Sequence, residues 1–345
     1  MSHAIADEKY MRAAIEQAKK GVGLTSPNPA VGAVLVRDGR IAARGFHRQA
    51  GVEHAEVNCL RKVRDLRDAT LYVTLEPCST HGRTPPCVDY IIGRKLRHIV
   101  IGARDLNPRH HERGIAALRA AGIEVRTGIM EAECAQLNEA YNKWIVNREP
   151  FVIAKCAISL DGRLTRPPNE SRWLSSPAAR AHARQLRTQV DAVLVGAETI
   201  RRDNPRLTAR TSRLRKQAWR VVLTRSGRLP GRCHVFSDSY RDRTLVYRGK
   251  SLRAVLRDLG KREILSVLIE GGGETLSEAL DQKLIDKFQI YLAPIFTGGP
   301  VLAFGGEGAK LTSEAVRLER LSYERIRDDI CVTGFANGKP SSGHL

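Results

Sequence analysis

Between Tyr10 and Lys20 apolar residues return at helical spacing: Met11, Ala14, Ile15 and Ala18 share one face, which predicts an amphipathic helix. Gly and Pro residues across 21–29 end it. Residues 30–36 and 40–45 read as strands on either side of Asp38-Gly39, a hairpin-turn dipeptide. A helix is predicted over 54–63, an apolar strand over 70–75 and a helix from Cys87 to Ile92. Strand 97–101, helix 114–121 and strand 123–125 complete a first series.

A second series begins near Pro150, with strands at 151–160, 191–196, 221–224, 244–247, 265–269 and 288–293 and a helix at 177–187. Strands alternating with helices imply α/β layering in both series. The length of 345 residues suits two domains. The boundary is expected between Asn138 and Pro150, giving domains over residues 1–146 and 147–345. The Arg-rich stretch 206–220 is read as a solvated surface loop.

Composition narrows the setting. A hydrophobic fraction of 42% and a charged fraction of 27% are those of a globular protein. The net charge of +20 suits an acidic partner: nucleic acid, a phosphorylated small molecule or an anionic membrane surface, unless the surface is simply rich in Arg. Seven Cys residues show no disulfide-like spacing, the N-terminus lacks a secretory apolar core, and no run is long enough to span a bilayer. A cytoplasmic, reducing compartment is therefore expected.

The strongest chemical signal is His54-Ala55-Glu56 followed by Pro77-Cys78 and Cys87. One imidazole and two thiolates are the donors zinc prefers, and three protein ligands leave a fourth position open, as catalytic zinc requires. Glu56 is then a spare carboxylate placed to shuttle protons. This set matches the zinc nucleobase deaminases. Cys59, Cys134, Cys156, Cys233 and Cys331 lack such context and are expected to be small buried apolar residues. Eight residues separate Cys78 from Cys87; His81 and Arg83 among them either approach a phosphate or polar pyrimidine, or face solvent. Asn28 either orients a ligand or caps its Pro-Asn-Pro turn.

In the second half, Ile269-Glu270-Gly271-Gly272-Gly273-Glu274-Thr275-Leu276 is a glycine turn between strand and helix, where backbone N–H groups cradle phosphate or simply close a tight turn. It is not the G-x-G-x-x-G dinucleotide fingerprint.

Ser26-Pro27-Asn28-Pro29-Ala30-Val31-Gly32, His54-Ala55-Glu56-Val57, Thr74-Leu75-Glu76-Pro77-Cys78 and Gly82-Arg83-Thr84-Pro85-Pro86-Cys87 together resemble the deaminase half of the bifunctional RibD family of riboflavin biosynthesis. The family's usual Asp-Pro-Asn-Pro reads Asp105-Leu106-Asn107-Pro108 here. Ser159-Leu160-Asp161-Gly162-Arg163, Ser171-Arg172-Trp173, Asp191-Ala192-Val193-Leu194-Val195-Gly196 and Asp203-Asn204-Pro205-Arg206-Leu207-Thr208 resemble the family's reductase half.

The resemblance implies a three-layer cytidine-deaminase-like domain followed by a dihydrofolate-reductase-like α/β domain. It implies Zn²⁺ held by His54, Cys78 and Cys87, with Glu56 catalytic, and loss of ammonia from a diaminopyrimidinone ribosylamine 5′-phosphate. NADPH then reduces the ribosyl chain to ribityl. By position, Ala157, Trp173, Thr199, Asp203 and Gly272, Gly273, Glu274, Thr275, Leu276, Ser277 and Glu278 match cofactor contacts. Ser171, Arg187, Leu207, Arg210 and Glu270 match substrate contacts, with Arg187 and Arg210 suited to clamp phosphate. Lys155 and Asp161 either tune proton transfer or form structural ion pairs. Arg225, where the family often has Asp-Ser, either favours the extra phosphate of NADPH or has no such role.

A competing reading is a tRNA or DNA base deaminase with a basic accessory domain. An aromatic content of 5% offers no stacking platform for bases, so no nucleic-acid partner is expected. A zinc-stapled structural protein would need a fourth protein ligand. The expected partners are the small phosphorylated pyrimidine and further copies of the chain, as a homo-oligomer, with no membrane.

Overall fold

The computed structural model describes residues 3–164, 173–210 and 216–337. Its internal contacts divide the chain between Arg148 and Glu149 into two units.

The first unit runs α1 (His3–Ala18), β1 (Gly32–Arg37), β2 (Arg40–Phe46), α2 (Ala55–Leu60), β3 (Thr70–Leu75), α3 (Cys87–Gly93), β4 (His98–Ala103), α4 (Arg113–Ala120), β5 (Glu124–Thr127), α5 (Glu131–Gln136) and α6 (Glu139–Asn147). Its five strands lie in the order β2-β1-β3-β4-β5. The β1–β2 hairpin is antiparallel and β1 runs antiparallel to β3, whereas β3, β4 and β5 are parallel.

Two glycines show how the layers are arranged. A Cβ on Gly32 would lie 2.1 Å from the Ala14 carbonyl oxygen in α1, so that strand face is covered by α1. Gly45 pairs with Ala33, the next residue of β1, and a Cβ there would lie 2.3 Å from the Ala55 carbonyl oxygen in α2. Adjacent strand residues face opposite ways, so α1 and α2 cover opposite faces of the sheet. The result is a three-layer αβα unit, with Val34, Leu35, Leu71, Val73, Val100 and Ile101 buried in its core.

The second unit runs β6 (Phe151–Ser159), α7 (Pro177–Gln185), β7 (Ala192–Gly196), α8 (Ala197–Asp203), β8 (Trp219–Thr224), α9 (His234–Ser237), β9 (Thr244–Arg248), α10 (Leu252–Lys261), β10 (Ser266–Ile269), α11 (Gly273–Asp281), β11 (Lys287–Ala293), β12 (Leu318–Ile326) and β13 (Asp329–Ala336). Eight strands form one sheet in the order β12-β13-β11-β6-β10-β7-β8-β9. The six from β11 to β9 are parallel; β13 and β12 close that edge in antiparallel fashion. The central strands β7 and β10 are short apolar runs buried on both faces, as parallel strands between helical layers must be. Helix α7 starts on Ser176, whose hydroxyl accepts from the Ala179 N–H, with Pro177 in the first turn.

One expectation needs correction. The stretch 206–220 is not a solvated loop throughout: Leu207 and Ala209 are buried, Trp219 opens β8, and Arg220 is 1% exposed. The Arg220 guanidinium can be buried because its donors are satisfied. It donates to Asp238 Oδ2 at 2.7 Å, the Val235 carbonyl at 2.8 Å and Thr244 Oγ1 at 3.0 Å. Helix α6 fills most of the stretch from Asn138 to Pro150, and the break between the units follows it, between Arg148 and Glu149. All five cysteines outside the metal motif are buried.

Candidate active sites

In the first unit the metal motif is assembled from three element ends. His54 is the N-cap of α2, Cys78 lies in the loop after β3, and Cys87 opens α3. The close approach allowed by Gly45 seats α2 directly on β2 and brings His54 and Glu56 to the sheet. His54 Nδ1 lies 3.5 Å from Cys78 Sγ and 3.2 Å from Cys87 Sγ. The three donor atoms all fall within 4.8 Å of one another.

The rest of the site orients these donors. Thr84 Oγ1 lies 3.3 Å from His54 Nε2, so the ring's proton is directed there and the Nδ1 lone pair faces the sulfurs. The Cys87 backbone N–H donates to Cys78 Sγ at 3.3 Å. The Cys87 side chain beside it draws Cys78 down to about 4, and Cys78 together with burial pushes Cys87 up. Both sulfurs must be deprotonated to bind a divalent cation.

Glu56 sits in the first turn of α2 and is 3% exposed. Burial raises its pKa. Its Oε2 is buried with no hydrogen-bond partner among the described residues. Two thiols, an imidazole and a neighbouring carboxyl oxygen with an unmet bonding capacity fit a catalytic zinc with water in its open position.

Three contacts were not foreseen. The His47 ring packs edge-on against His54, with centroids 4.8 Å apart. Its Nδ1–H donates to the Glu53 carbonyl at 3.1 Å, leaving Nε2 to accept from Asn28 Nδ2 at 3.1 Å. Burial lowers the His47 pKa to about 4, so the ring is neutral and this polarity is fixed. Asn28 is thus held by its amide nitrogen, which frees its carbonyl oxygen to accept. Glu76, one residue before the Pro-Cys pair, accepts from the backbone N–H groups of Glu112, Gly114, Ile115 and Asp105, and so ties the ligand loop to the start of α4. His110 Nδ1 lies 3.4 Å from the Ser79 N–H. These residues lie on separate elements with no common spacing, so only the fold brings them together.

In the second unit β10 delivers Glu270 into the glycine turn. Gly271 and Gly272 have φ of 91° and 79°, a region that favours glycine, and α11 follows at once. A Cβ on Gly272 would stand 3.6 Å from both Thr199 Oγ1 and Thr275 Oγ1, so the turn and α8 form one small polar pocket edge. Thr199, Gly272, Gly273 and Thr275 are therefore gathered here. Farther along α11, Leu276 is buried in the core and the Ser277 hydroxyl donates to the Gly273 carbonyl while accepting from the Gly305 N–H. Glu278 accepts from the Leu252 N–H at the start of α10. Glu274 is exposed and pairs with Arg225 at 3.3 Å.

Glu270 is the hub of the residues expected to meet substrate. Arg187 Nε donates to its Oε1 at 2.5 Å and Nη2 to its Oε2 at 2.8 Å, and Lys155 Nζ lies 3.6 Å away. Burial alone would raise its pKa; Lys155 and Arg187 overcome this and hold it at about 2. Arg187 Nη1 also donates to the Thr208 carbonyl at 3.0 Å, tethering the segment that carries Leu207 and Arg210. Both have positive φ, 56° and 50°. Leu207 is buried and Arg210 exposed.

Ala157 packs against the small cluster of Ala179, Ala183, Tyr291 and Cys331, and Trp173, 45% exposed, stacks on Arg180. Asp203 ends α8 at the surface. Asp161 accepts from the Thr297 and Gly298 N–H groups and pairs with Arg163. Ser171 lies outside the described residues.

Comparison with known proteins matches both halves. Residues 4–103 match the cytidine and deoxycytidylate deaminase zinc-binding region, and residues 150–332 match the RibD C-terminal domain. The riboflavin biosynthesis protein RibD of Actinobacillus pleuropneumoniae is 38% identical, covering 94% of each chain. That of Escherichia coli K12 is 34% identical, covering 94% of this chain and 98% of the relative. The Acinetobacter baumannii RibD structure superposes with a TM-score of 0.89 at 33% identity, covering 97% of this chain and all of that one. A Thermotoga maritima diaminohydroxyphosphoribosylaminopyrimidine deaminase/5-amino-6-(5-phosphoribosylamino)uracil reductase superposes with a TM-score of 0.89 at 36% identity, covering 97% and 99%.

Proposed function

The chain belongs to the RibD family of bifunctional riboflavin-biosynthesis enzymes, and from that premise we propose how its own residues divide the work. It is a deaminase and a reductase, with zinc serving the first activity and NADPH the second. A base deaminase acting on tRNA or DNA is not favoured, because relatives of this family match nearly the whole chain.

The substrate is 2,5-diamino-6-ribosylamino-4(3H)-pyrimidinone 5′-phosphate. His54, Cys78 and Cys87 hold the zinc. Bound there, it supplies a Lewis acid that makes water nucleophilic near neutral pH. Glu56 would take one proton from the attacking water and pass it to a ring nitrogen, then take the proton of the newly formed hydroxyl and pass it to the amino group, which leaves as ammonia while the carbonyl forms. Burial favours the protonated carboxyl between these transfers. Asn28, clamped by His47, offers its carbonyl oxygen to the pyrimidine edge. The observation that carries this reading is Glu56 Oε2, buried and unpartnered beside three convergent donors.

For the second step NADPH supplies hydride to the first carbon of the ring-opened sugar. The Gly272–Gly273 turn at the start of α11, with Thr199 and Thr275, receives the cofactor. The Leu207–Arg210 segment and Ser171 receive the substrate, Arg210 contributing positive charge for its phosphate. Arg187 serves this site by holding Glu270 and the Thr208 carbonyl, so its guanidinium is already engaged before substrate arrives.

No helix among the described residues is long and apolar enough to cross a membrane. A reducing cytoplasm suits two ligand thiols, and the chain works as a homo-oligomer without nucleic-acid or membrane partners. The test is a two-stage assay. Zinc-loaded protein given the pyrimidine phosphate should release ammonia, and NADPH added next should be oxidised. Folded, zinc-bound protein that releases no ammonia would refute the deaminase assignment.

A further inference from the structure

The parallel strands β6 and β11 end side by side, Ser159 opposite Ala293, and the two loops that leave them hold each other. After β6 the chain turns tightly: the Gly162 N–H donates to the Ser159 carbonyl at 2.9 Å, with Gly162 at φ 79°. The segment after β11 runs back along this turn. The Leu160 N–H donates to the Ile295 carbonyl at 2.8 Å and the Leu164 N–H to the Val301 carbonyl at 3.0 Å. The Ala303 N–H donates to the Gly162 carbonyl at 3.3 Å. Residues 296–300 loop away between these pairs, with Gly298 and Gly299 at φ of 62° and 83°.

Asp161 receives that loop. Its Oδ1 accepts from the Thr297 N–H at 3.2 Å and its Oδ2 from the Gly298 N–H at 2.8 Å. Arg163 Nε lies 3.5 Å from the same carboxylate, and the Thr297 hydroxyl donates to Ser159 Oγ at 3.3 Å. The Ser159 hydroxyl, followed by the two N–H groups, holds Asp161 down at about 2. The carboxylate is therefore ionised at any working pH, a fixed acceptor rather than a proton carrier.

The far end of the segment reaches the glycine turn. A Cβ on Gly273 would lie 2.2 Å from the Leu302 carbonyl oxygen. Gly271 and Gly272 serve the turn through their positive φ, whereas Gly273 serves it by letting this carbonyl approach. Farther along, the Gly305 N–H donates to Ser277 Oγ of α11 at 2.9 Å. The segment 295–305 is thus tied to Asp161 at one end and laid against the start of α11 at the other.

We propose that Asp161 is a positioning residue of the reductase site: by holding the Thr297 and Gly298 N–H groups it sets the path of 295–305 and seats the Leu302 carbonyl on Gly273, shaping the cofactor turn before NADPH arrives. All these contacts lie at the carboxyl ends of the parallel strands, where open α/β sheets take their ligands. A carboxylate is required because it offers an acceptor oxygen to each of two neighbouring N–H groups; an amide offers one oxygen and turns its own N–H toward the other. The proposal rests on the reading above that the Gly272–Gly273 turn receives NADPH.

The test uses the full zinc-loaded chain with NADPH alone as probe. Amide hydrogen exchange across 295–305 reports the clamp, and nicotinamide fluorescence reports binding. Asp161→Ala should speed exchange at Thr297 and Gly298 and raise the NADPH Kd at least about tenfold, the scale of one lost hydrogen bond to a charged group. Asp161→Asn, which keeps the shape and one acceptor, should fall between alanine and wild type on both readouts. In turnover the KM for NADPH should rise while kcat stays within about twofold, and ammonia release should not change. Exchange and Kd unchanged in D161A, in a chain whose wild type binds NADPH, would overturn the proposal. A fall in kcat at unchanged KM would overturn it too, since Asp161 would then act on the chemistry itself. Folded, zinc-bound wild type that binds no NADPH would instead overturn the cofactor reading beneath it.

Discussion

Arg187 grips Glu270 at two points, Nε to Oε1 and Nη2 to Oε2, while its remaining amino group holds the Thr208 carbonyl. One side chain thus fixes both the carboxylate at the end of β10 and the segment bearing Leu207 and Arg210. Arg187→Lys keeps the charge but loses the planar fork, so it should lower reductase kcat/KM by about 100-fold, mainly through KM. Ammonia release in the first step should not change. Steady-state reduction of pre-deaminated substrate, with the deaminase assayed in parallel, checks this.

The same pair gives an acid-side signature. A free Glu titrates near 4.5, and in the folded chain Lys155 and Arg187 hold Glu270 at about 2 against burial. A depressed folded pKa means stability that is fully present above about 4.5 and is lost as pH falls toward about 2. Glu270→Gln removes the carboxylate at every pH. Its urea midpoint for the second unit should lie well below that of the wild type at pH 6, and the gap should narrow by pH 3. A gap independent of pH would show that Glu270 does not contribute through its charge.

Glu56→Gln keeps the size of the side chain and removes its proton-carrying capacity. Deamination should fall by at least a thousandfold, as expected when a positioned acid–base group is lost. Zinc content should stay at one per chain, since Glu56 is not in the donor set. Reduction of pre-deaminated substrate should proceed at the wild-type rate. Joint loss of both activities would count against two separate sites.

Much of this was legible in the chain because it rests on local signals. Strand β3 falls where the apolar run 70–75 predicts it, and the His-x-Glu and Pro-Cys spacings mark element ends that the fold then joins. What stayed hidden depends on long-range partners. Arg220 reads as one more surface Arg until β8 places it beside Asp238 and the Val235 carbonyl. His47 has no motif of its own and gains meaning only where its ring meets His54 and Asn28. The β12–β13 hairpin is equally obscure, because an edge strand exposed along its length lacks the apolar alternation that reveals half-buried strands.

Arg220 tests the buried charge directly. Arg220→Ala removes donors from Asp238, Val235 and Thr244 and leaves a cavity in a 1%-exposed position. Breaking such a pair from one side costs about 3–5 kcal/mol. For a unit of this size that is roughly a 10 °C drop in the melting transition of the second unit by calorimetry. The transition of the first unit should not move. A loss below about 1 kcal/mol would mean that water replaces the guanidinium without penalty.

Thr84 gives a readout that separates metal binding from catalysis. Its hydroxyl lies 3.3 Å from His54 Nε2, the ring nitrogen turned away from the two sulfurs. Thr84→Val keeps the shape and removes the hydrogen bond that fixes the ring's tautomer and angle. Losing such an outer partner weakens metal binding by about 10–100-fold. Competition with a chelating dye should show zinc affinity reduced within that range, and deaminase activity should return when zinc is supplied in excess. Unchanged affinity would mean that packing against His47 alone orients His54.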